Sequence, residues 1–216
     1  MNMIVEENSF FIVVNKPEGY SVHNEKPNLI DVLNDLKLPT HFVNRLDNVT
    51  SGLVVIAKSP ELHKPLSLAL EKGQKTYRAL LRGAWRSTET EFIWNTPLSD
   101  KAEGRKNPQG IAKDRKACIT EGQVVRSNKY FTEALLEIKT GRQHQIRKHA
   151  CLYNCAVVGD PRYNEAAYNL KIVDTYKVSR MFLHAESLNF KFEDQVYSFK
   201  SEIESMDLSC FFKDLF

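Results

Sequence analysis

An aspartate placed just before a Thr-Ser-Gly turn and an apolar strand can do one of two things. Asp47 lies in Asn44-Arg45-Leu46-Asp47-Asn48-Val49-Thr50-Ser51-Gly52, directly ahead of Leu53 to Ala57 (LVVIA). As the cap of an Asx-type turn, its carboxylate would accept backbone N–H groups two or three residues on. As a reactive group, it would be held by a rigid strand at the mouth of a cleft and act as a nucleophile. A second constellation is Thr140-Gly141-Arg142-Gln143-His144-Gln145-Ile146-Arg147-Lys148-His149. A glycine followed by donors and cations gives a helix start rich in N–H groups and positive charge, which suits phosphate. The plainer alternative is a solvated, basic first turn.

Other chemistries lack their parts. His144, His149, Cys151 and Cys155 contain metal-ligating types, but structural zinc wants a knuckle plus a second ligand pair well separated in sequence. All four lie on one short helical stretch, and buried cysteines acting as small apolar side chains explain the Cys pair better. No metal site is expected. There is no G-x-S-x-G elbow, no G-x-x-x-x-G-K-[ST] loop and no G-x-G-x-x-G, and 9 glycines leave little material for a phosphate cradle. No cofactor is expected.

The segments that must position these residues read as short strands and helices. Phe10 to Asn15, Leu53 to Ala57, Ala134 to Ile138 and Leu188 to Phe192 read as strands, and Asp31 to Leu38, Glu61 to Glu71 and Gln143 to Tyr153 as helices. Lys75 to Gly83 alternates, with Tyr77, Ala79 and Leu81 on one face and Thr76, Arg78 and Arg82 near the other. Ser99 to Lys116 is polar and punctuated by Gly and Pro, a long loop of the kind that carries function. Irregular interleaving of short elements predicts an α+β fold with a mixed, mainly antiparallel sheet flanked by helices and loops. No stretch reads as a linker, so 1–216 is read as a single domain.

Composition and charge narrow the partners. The 216 residues are 42% hydrophobic and 26% charged, ordinary for a globular protein. No apolar run approaches a membrane span, and Met1 to Ser9 lacks a signal-peptide layout, so the expected compartment is the cytoplasm. Residues 1–35 carry two lysines against six acids, and residues 186–216 three lysines against seven acids, each a balance of −4. The surplus therefore sits in the middle. Lys72, Lys75, Arg78, Arg82 and Arg86 meet no acid between 72 and 86, and Arg105, Lys106, Lys113, Arg115 and Lys116 meet only Asp114. Each run alone reads as a solvated surface; together with Arg142, Arg147 and Lys148 they suggest a polyanion partner whose binding weakens with salt.

The pair N-R-L-D-x-x-T-S-G-L and T-G-R-x-H-Q-I-R-x-H resembles the RluA-type family of RNA pseudouridine synthases. Four further blocks follow the family's order. Asn15-Lys16-Pro17-Glu18-Gly19, followed by His23, resembles its N-K-P-x-G block, and Lys75-Thr76-Tyr77-Arg78-Ala79 its K-x-Y-x-A strand. Val158-Gly159-Asp160-Pro161-Arg162-Tyr163 resembles I-x-G-D-x-x-Y, and Leu183-His184-Ala185 the closing L-H-A. The likeness runs through roughly residues 10–190. It implies a pseudouridine synthase-like catalytic domain that isomerises uridines in ribosomal RNA, transfer RNA or both, without cofactor or metal. Nothing in the sequence demands more than a monomer.

By position, the family's catalytic aspartate falls on Asp47, its active-site tyrosine on Tyr77, and the arginine that pairs with the aspartate on Arg147. Arg45 falls on the arginine that enters the RNA stack. Asn44, Lys16, Arg142, His144 and Gln145 are further candidates for RNA contact. Asn44 stands where the family usually has histidine; asparagine still donates and accepts hydrogen bonds, so altered RNA contacts are expected and not lost catalysis. The sequence is read as starting at the catalytic-domain strand, so no S4-like domain, optional in the family, is expected. A non-catalytic RNA-binding protein on the same scaffold is the competing class. It does not need a lone carboxylate beside a polyanion.

Overall fold

Leu53 to Ala57 is apolar at every position, and a strand of that kind must be covered on both faces. The computed structural model, which describes residues 3–23, 25–101, 103–201 and 208–213, buries all seven residues of the strand that contains it. In chain order the elements are β1 (Ile4–Glu7), β2 (Phe11–Lys16), α1 (Leu29–Asp35), β3 (His41–Phe42), β4 (Ser51–Ala57), α2 (Pro60–Lys72), β5 (Gln74–Arg82) and β6 (Glu91–Trp94). There follow β7 (Leu98–Ser99), β8 (Arg115–Lys116), β9 (Thr120–Ser127), β10 (Phe131–Ile138), α3 (Gln145–Leu152), α4 (Ala166–Tyr176), β11 (Leu183–Phe192), β12 (Gln195–Lys200) and α5 (Ser209–Phe212). The class is α+β with a mixed, mainly antiparallel sheet, as the sequence predicts. None of the described helices is long and apolar enough to cross a membrane.

The chain packs as two units: one runs to Thr76 and resumes at His184, the other runs from Tyr77 to Leu183 and includes α5. In the first unit, β4 lies between antiparallel β2 and parallel β11, with β1 beyond β2 and β12 beyond β11. Alternate residues of the strands point to opposite faces. Phe11, Val13, Leu53, Val55 and Ala57 pack with Leu66 and Leu70 of α2 and with Leu188 and Phe190 of β11. Ile12, Val14, Val54 and Ile56 pack instead with Leu29 and Leu33 of α1 and with Phe42. Asn28 caps α1 by accepting the Asp31 N–H at 2.8 Å. Pro60 opens α2, where a missing N–H costs nothing.

In the second unit the strand order is β5-β10-β9-β6. Leu80, Phe131, Val158, Ile172, Phe182 and Phe211 form its core. β5 departs from the simple alternation the sequence suggests: Ala79, Leu80 and Leu81 are all buried, so the second half of the strand is covered on both faces. Arg78 pairs with buried Glu133, which also accepts from Arg126 Nε at 2.6 Å. Arg82 and Arg105 both reach Glu165, at 3.4 and 2.8 Å. Much of the basic surplus is therefore matched by acids distant in sequence.

Residues 99–116 are not the structureless loop the sequence suggests. β7 and β8 pair antiparallel and close the segment at its base. A short 3-10 turn occupies Ala112–Asp114, and the Arg115 guanidinium donates to the Gly110 carbonyl at 2.7 and 3.1 Å. Polar composition hid this because the hydrogen bonds are made to the main chain, which carries no sequence signature.

Candidate active-site segments

Asp47 sits in the first unit, in the short segment between β3 and β4. Its backbone carbonyl accepts the Thr50 N–H at 3.0 Å, so the main chain itself closes the turn. The segment is then fixed from three further directions. Asn44 bonds β4 at both ends of its amide: Nδ2 donates to the Leu53 carbonyl at 3.3 Å and Oδ1 accepts the Val55 N–H at 2.8 Å. Asn44, a candidate for RNA contact from the sequence, thereby ties its segment to β4 while remaining partly exposed. Lys16, at the end of β2, is 0% exposed. Its ammonium donates to the carbonyls of Pro17, Tyr20 and Asn48 at 2.9, 2.7 and 3.0 Å. Lys16, a candidate for RNA contact from the sequence, here has a buried ammonium that ties Asn48 to the 17–20 turn.

The third support comes from the closing L-H-A block. β4 and β11 run parallel with Ser51 opposite His184 and Gly52 opposite Ala185. Ser51 Oγ is 2.8 Å from His184 Nδ1, and His184 Nε2 is 2.6 Å from Ser201 Oγ. Gly52 has φ +119°, and a Cβ there would lie 2.3 Å from the Ala185 carbonyl oxygen. Only glycine allows that approach. Arg45 is exposed. His23, from the N-K-P block, meets Phe42 edge-on at 5.0 Å. Partial burial, with the Arg45 cation adding to it, holds His23 below the ordinary histidine pKa.

Tyr77 and Arg147 belong to the second unit. Tyr77 is partly buried near the start of β5. Lys75, two residues earlier, wraps the C-terminus of α2, donating to the Leu70 carbonyl at 2.6 Å and the Gly73 carbonyl at 3.2 Å. A cation there meets carbonyls that have no partner within the helix. Arg147 lies on α3, buried, and its guanidinium forms a fork with Asp160: Nε to Oδ2 at 2.7 Å and Nη2 to Oδ1 at 2.9 Å.

The rest of the T-G-R-x-H-Q-I-R-x-H block divides between structure and surface. Gln145, a candidate for RNA contact, is 4% exposed and spent within the protein. Its Oε1 accepts from Thr140 Oγ1 at 2.7 Å and the Arg142 N–H at 3.2 Å, while Nε2 donates to the Ile119 carbonyl at 2.9 Å. Lys148 is buried too, with its ammonium on the carbonyls of Ser99 and Lys101 at 2.7 and 2.9 Å, so it holds the base of the 99–116 segment. Arg142 and His144 keep partial exposure. His144, at φ 55°, precedes the helix and its Nδ1 is 3.0 Å from the Tyr163 hydroxyl.

His149 is buried neutral. Nε2 contacts the Thr96 carbonyl at 2.9 Å, which requires the proton there, and Nδ1 contacts Thr120 Oγ1 at 2.9 Å. Burial pushes its pKa down, and the Thr96 carbonyl opposes this only in part. A histidine free in the unfolded chain takes up a proton near pH ~6.5. The unfolded state then binds more protons than the native one, so stability falls as pH drops through that value. Chemical unfolding at pH 7.5 and 5.5 is expected to show a loss of up to about 1.4 kcal/mol per pH unit from this group, and His149→Gln to shrink that slope. Equal slopes in both proteins would remove His149 from the account.

Comparison with known proteins rests on these same segments. The sequence model of a family described as RNA pseudouridylate synthase matches residues 10–151, which include Lys16, Asp47, Tyr77 and Arg147. The chain belongs to that family. A ribosomal large subunit pseudouridine synthase C from Buchnera aphidicola is 33% identical over 199 residues, 88% of this chain and 62% of the relative. An uncharacterized RNA pseudouridine synthase from Zymomonas mobilis is 31% identical over 188 residues, 82% of each chain. The fold is shared with human RNA pseudouridylate synthase domain containing 1, at a TM-score of 0.75 and 24% identity over 92% of this chain and 82% of that one. The chain spans about 62–63% of the length of the first three synthase C relatives.

No group of three or more His, Cys, Asp or Glu side chains among the described residues could hold a metal ion. His144 and His149 are directed at Tyr163 and Thr96, not at a common centre. Burial raises the Cys155 thiol to about 12, with Cys151 contributing, which leaves it a poor ligand or nucleophile.

Proposed function

We propose that this chain is a single catalytic domain that converts specific uridines of large-subunit ribosomal RNA to pseudouridine. The observation that carries the reading is the Asp47 segment, fixed by the Thr50 turn bond, the Asn44 amide, the buried Lys16 ammonium and the Gly52 contact. Such rigidity is what a reacting carboxylate needs. The substrate RNA follows from what the synthase C relatives are named for.

The reaction breaks the N1–C1′ bond of the uridine, turns the uracil and rejoins it to C1′ through C5; the C5 proton is lost and N1 takes up a proton. It is redox-neutral, and the proposed enzyme works as a cytoplasmic monomer without metal or organic cofactor. The uridine is first flipped from its stack, at a cost of a few kcal/mol. Arg45, exposed beside Asp47, fills the vacated position with its guanidinium plane. Asp47 supplies the carboxylate that initiates bond cleavage. Tyr77 stacks on the freed ring and is the candidate base for the C5 proton. Arg147 pairs with and orients the carboxylate, while Arg142 and His144 contact the RNA backbone.

The test is tritium release from RNA labelled at uridine C5, taken from cells lacking this gene, with Asp47→Ala as control. Release from the large-subunit ribosomal fraction by the native protein alone is the expected result. Release from transfer RNA instead would move the substrate. No release from either, with RNA binding intact, would favour the non-catalytic RNA-binding reading.

A further inference from the structure

The V-G-D-x-x-Y block has no part in the chemistry as proposed so far, yet two of its residues, Asp160 and Tyr163, converge on one guanidinium. Gly159 has φ +79°, and a Cβ there would lie 1.9 Å from the Arg180 carbonyl oxygen. The chain can therefore turn at this point only with glycine, and the turn presents Asp160 to α3. The Asp160 carboxylate takes two parallel bonds from Arg147, at 2.7 and 2.9 Å, and Oδ1 also accepts the N–H groups of Arg162 and Tyr163 at 2.8 and 3.0 Å. The Tyr163 ring, fully buried, lies 5.3 Å from the Arg147 guanidinium carbon. Arg147 is 4% exposed and Asp160 0%.

A buried ion pair is a weak device for stability, because burying both charges costs about as much as their attraction returns. What this arrangement does well is fix a plane. Two bonds along one edge set the in-plane angle of the guanidinium, and an aromatic ring near its carbon restricts the tilt. The carboxylate is in turn fixed by two main-chain N–H groups, so its own rotation is stopped.

We propose that Asp160 is a positioning residue for the isomerisation: it acts through Arg147, holding the guanidinium at the angle at which it meets the reacting groups. The inference rests on the proposed function, in which Arg147 works beside Asp47. Asp160→Asn keeps shape and hydrogen bonding at Oδ1 but loses the charged fork. Expected is a fall in kcat of about 10²-fold, the cost of a small misplacement of a reacting group, with RNA affinity within about twofold. In an Arg147→Lys background, where no planar fork exists, the same substitution is expected to add less than about twofold.

A merely structural Asp160 would not give that non-additivity. The Nε–H resonance of Arg147, assigned by its loss in Arg147→Lys, should exchange slowly with solvent in the native protein and fast in Asp160→Asn. Should Asp160→Asn fail to fold, Asp160→Glu keeps the charge and shifts it by one methylene, and it too should lower kcat with affinity intact. Wild-type turnover in the variants, additive losses in the double variant, or an unchanged Nε–H exchange rate would each overturn the inference. Absence of turnover by the native protein on every RNA would instead overturn the function on which it rests, and the inference with it.

Discussion

Asp47→Asn is expected to abolish pseudouridine formation, by about 10⁴-fold or more, while RNA affinity stays within about threefold. The substitution is nearly isosteric. The turn it occupies is closed by the Asp47 main-chain carbonyl and the Thr50 N–H, which the variant keeps. The neighbouring anchors are also untouched, since Asn44 bonds β4 and Lys16 bonds the Asn48 carbonyl. What changes is the loss of a carboxylate, and with it the nucleophile or base that the reaction needs. Single-turnover assays with excess enzyme, set beside RNA titration at one fixed salt concentration, measure the two effects separately. A parallel fall in binding and melting temperature would return Asp47 to the role of a turn cap.

The reach of the sequence differed between elements for physical reasons. β2, β4 and α2 were legible because apolar runs and helical spacing report burial directly, and each lies within a residue or two of its predicted bounds. β9, β12 and α4 went unread, because strands and helices with polar exposed faces look like surface in a single sequence. The resemblance blocks located the important segments but did not divide them by role. Lys16, Gln145 and Lys148 carry the same chemistry as an RNA ligand would, and only three-dimensional burial shows them bonded to the main chain. Nothing in a sequence announces that a lysine curls inward onto three carbonyls. The Arg147–Asp160 fork was equally silent, since a separation of 13 positions carries no periodicity that would pair the two charges.

Gly52→Ala is expected to be the most damaging single-methyl change in the first unit. At φ +119° an alanine is strained whatever the space, and its Cβ would lie 2.3, 2.5 and 2.8 Å from the carbonyl O, N and carbonyl C of Ala185. Those are backbone atoms of β11, which cannot turn aside as a side chain does. Strand β4 must move, and together the strain and overpacking cost roughly 3 kcal/mol or more. In a chain of this size that is a fall in melting temperature of roughly 6–12 °C. The stability loss is only half of the effect. Ser51 and Gly52 are the first residues of the strand behind Asp47, so separating β4 from β11 also carries the carboxylate out of register. A misplacement of about 1 Å at a reacting group can cost about 10²-fold in rate. Gly19→Ala provides the control, because Gly19 also has positive φ, +82°, but no heavy atom lies within 4 Å of the added methyl. Melting curves and turnover of the two variants separate backbone strain from collision. A Gly52→Ala protein no worse than Gly19→Ala in both would show that the contact with Ala185 does not hold the Asp47 segment in place.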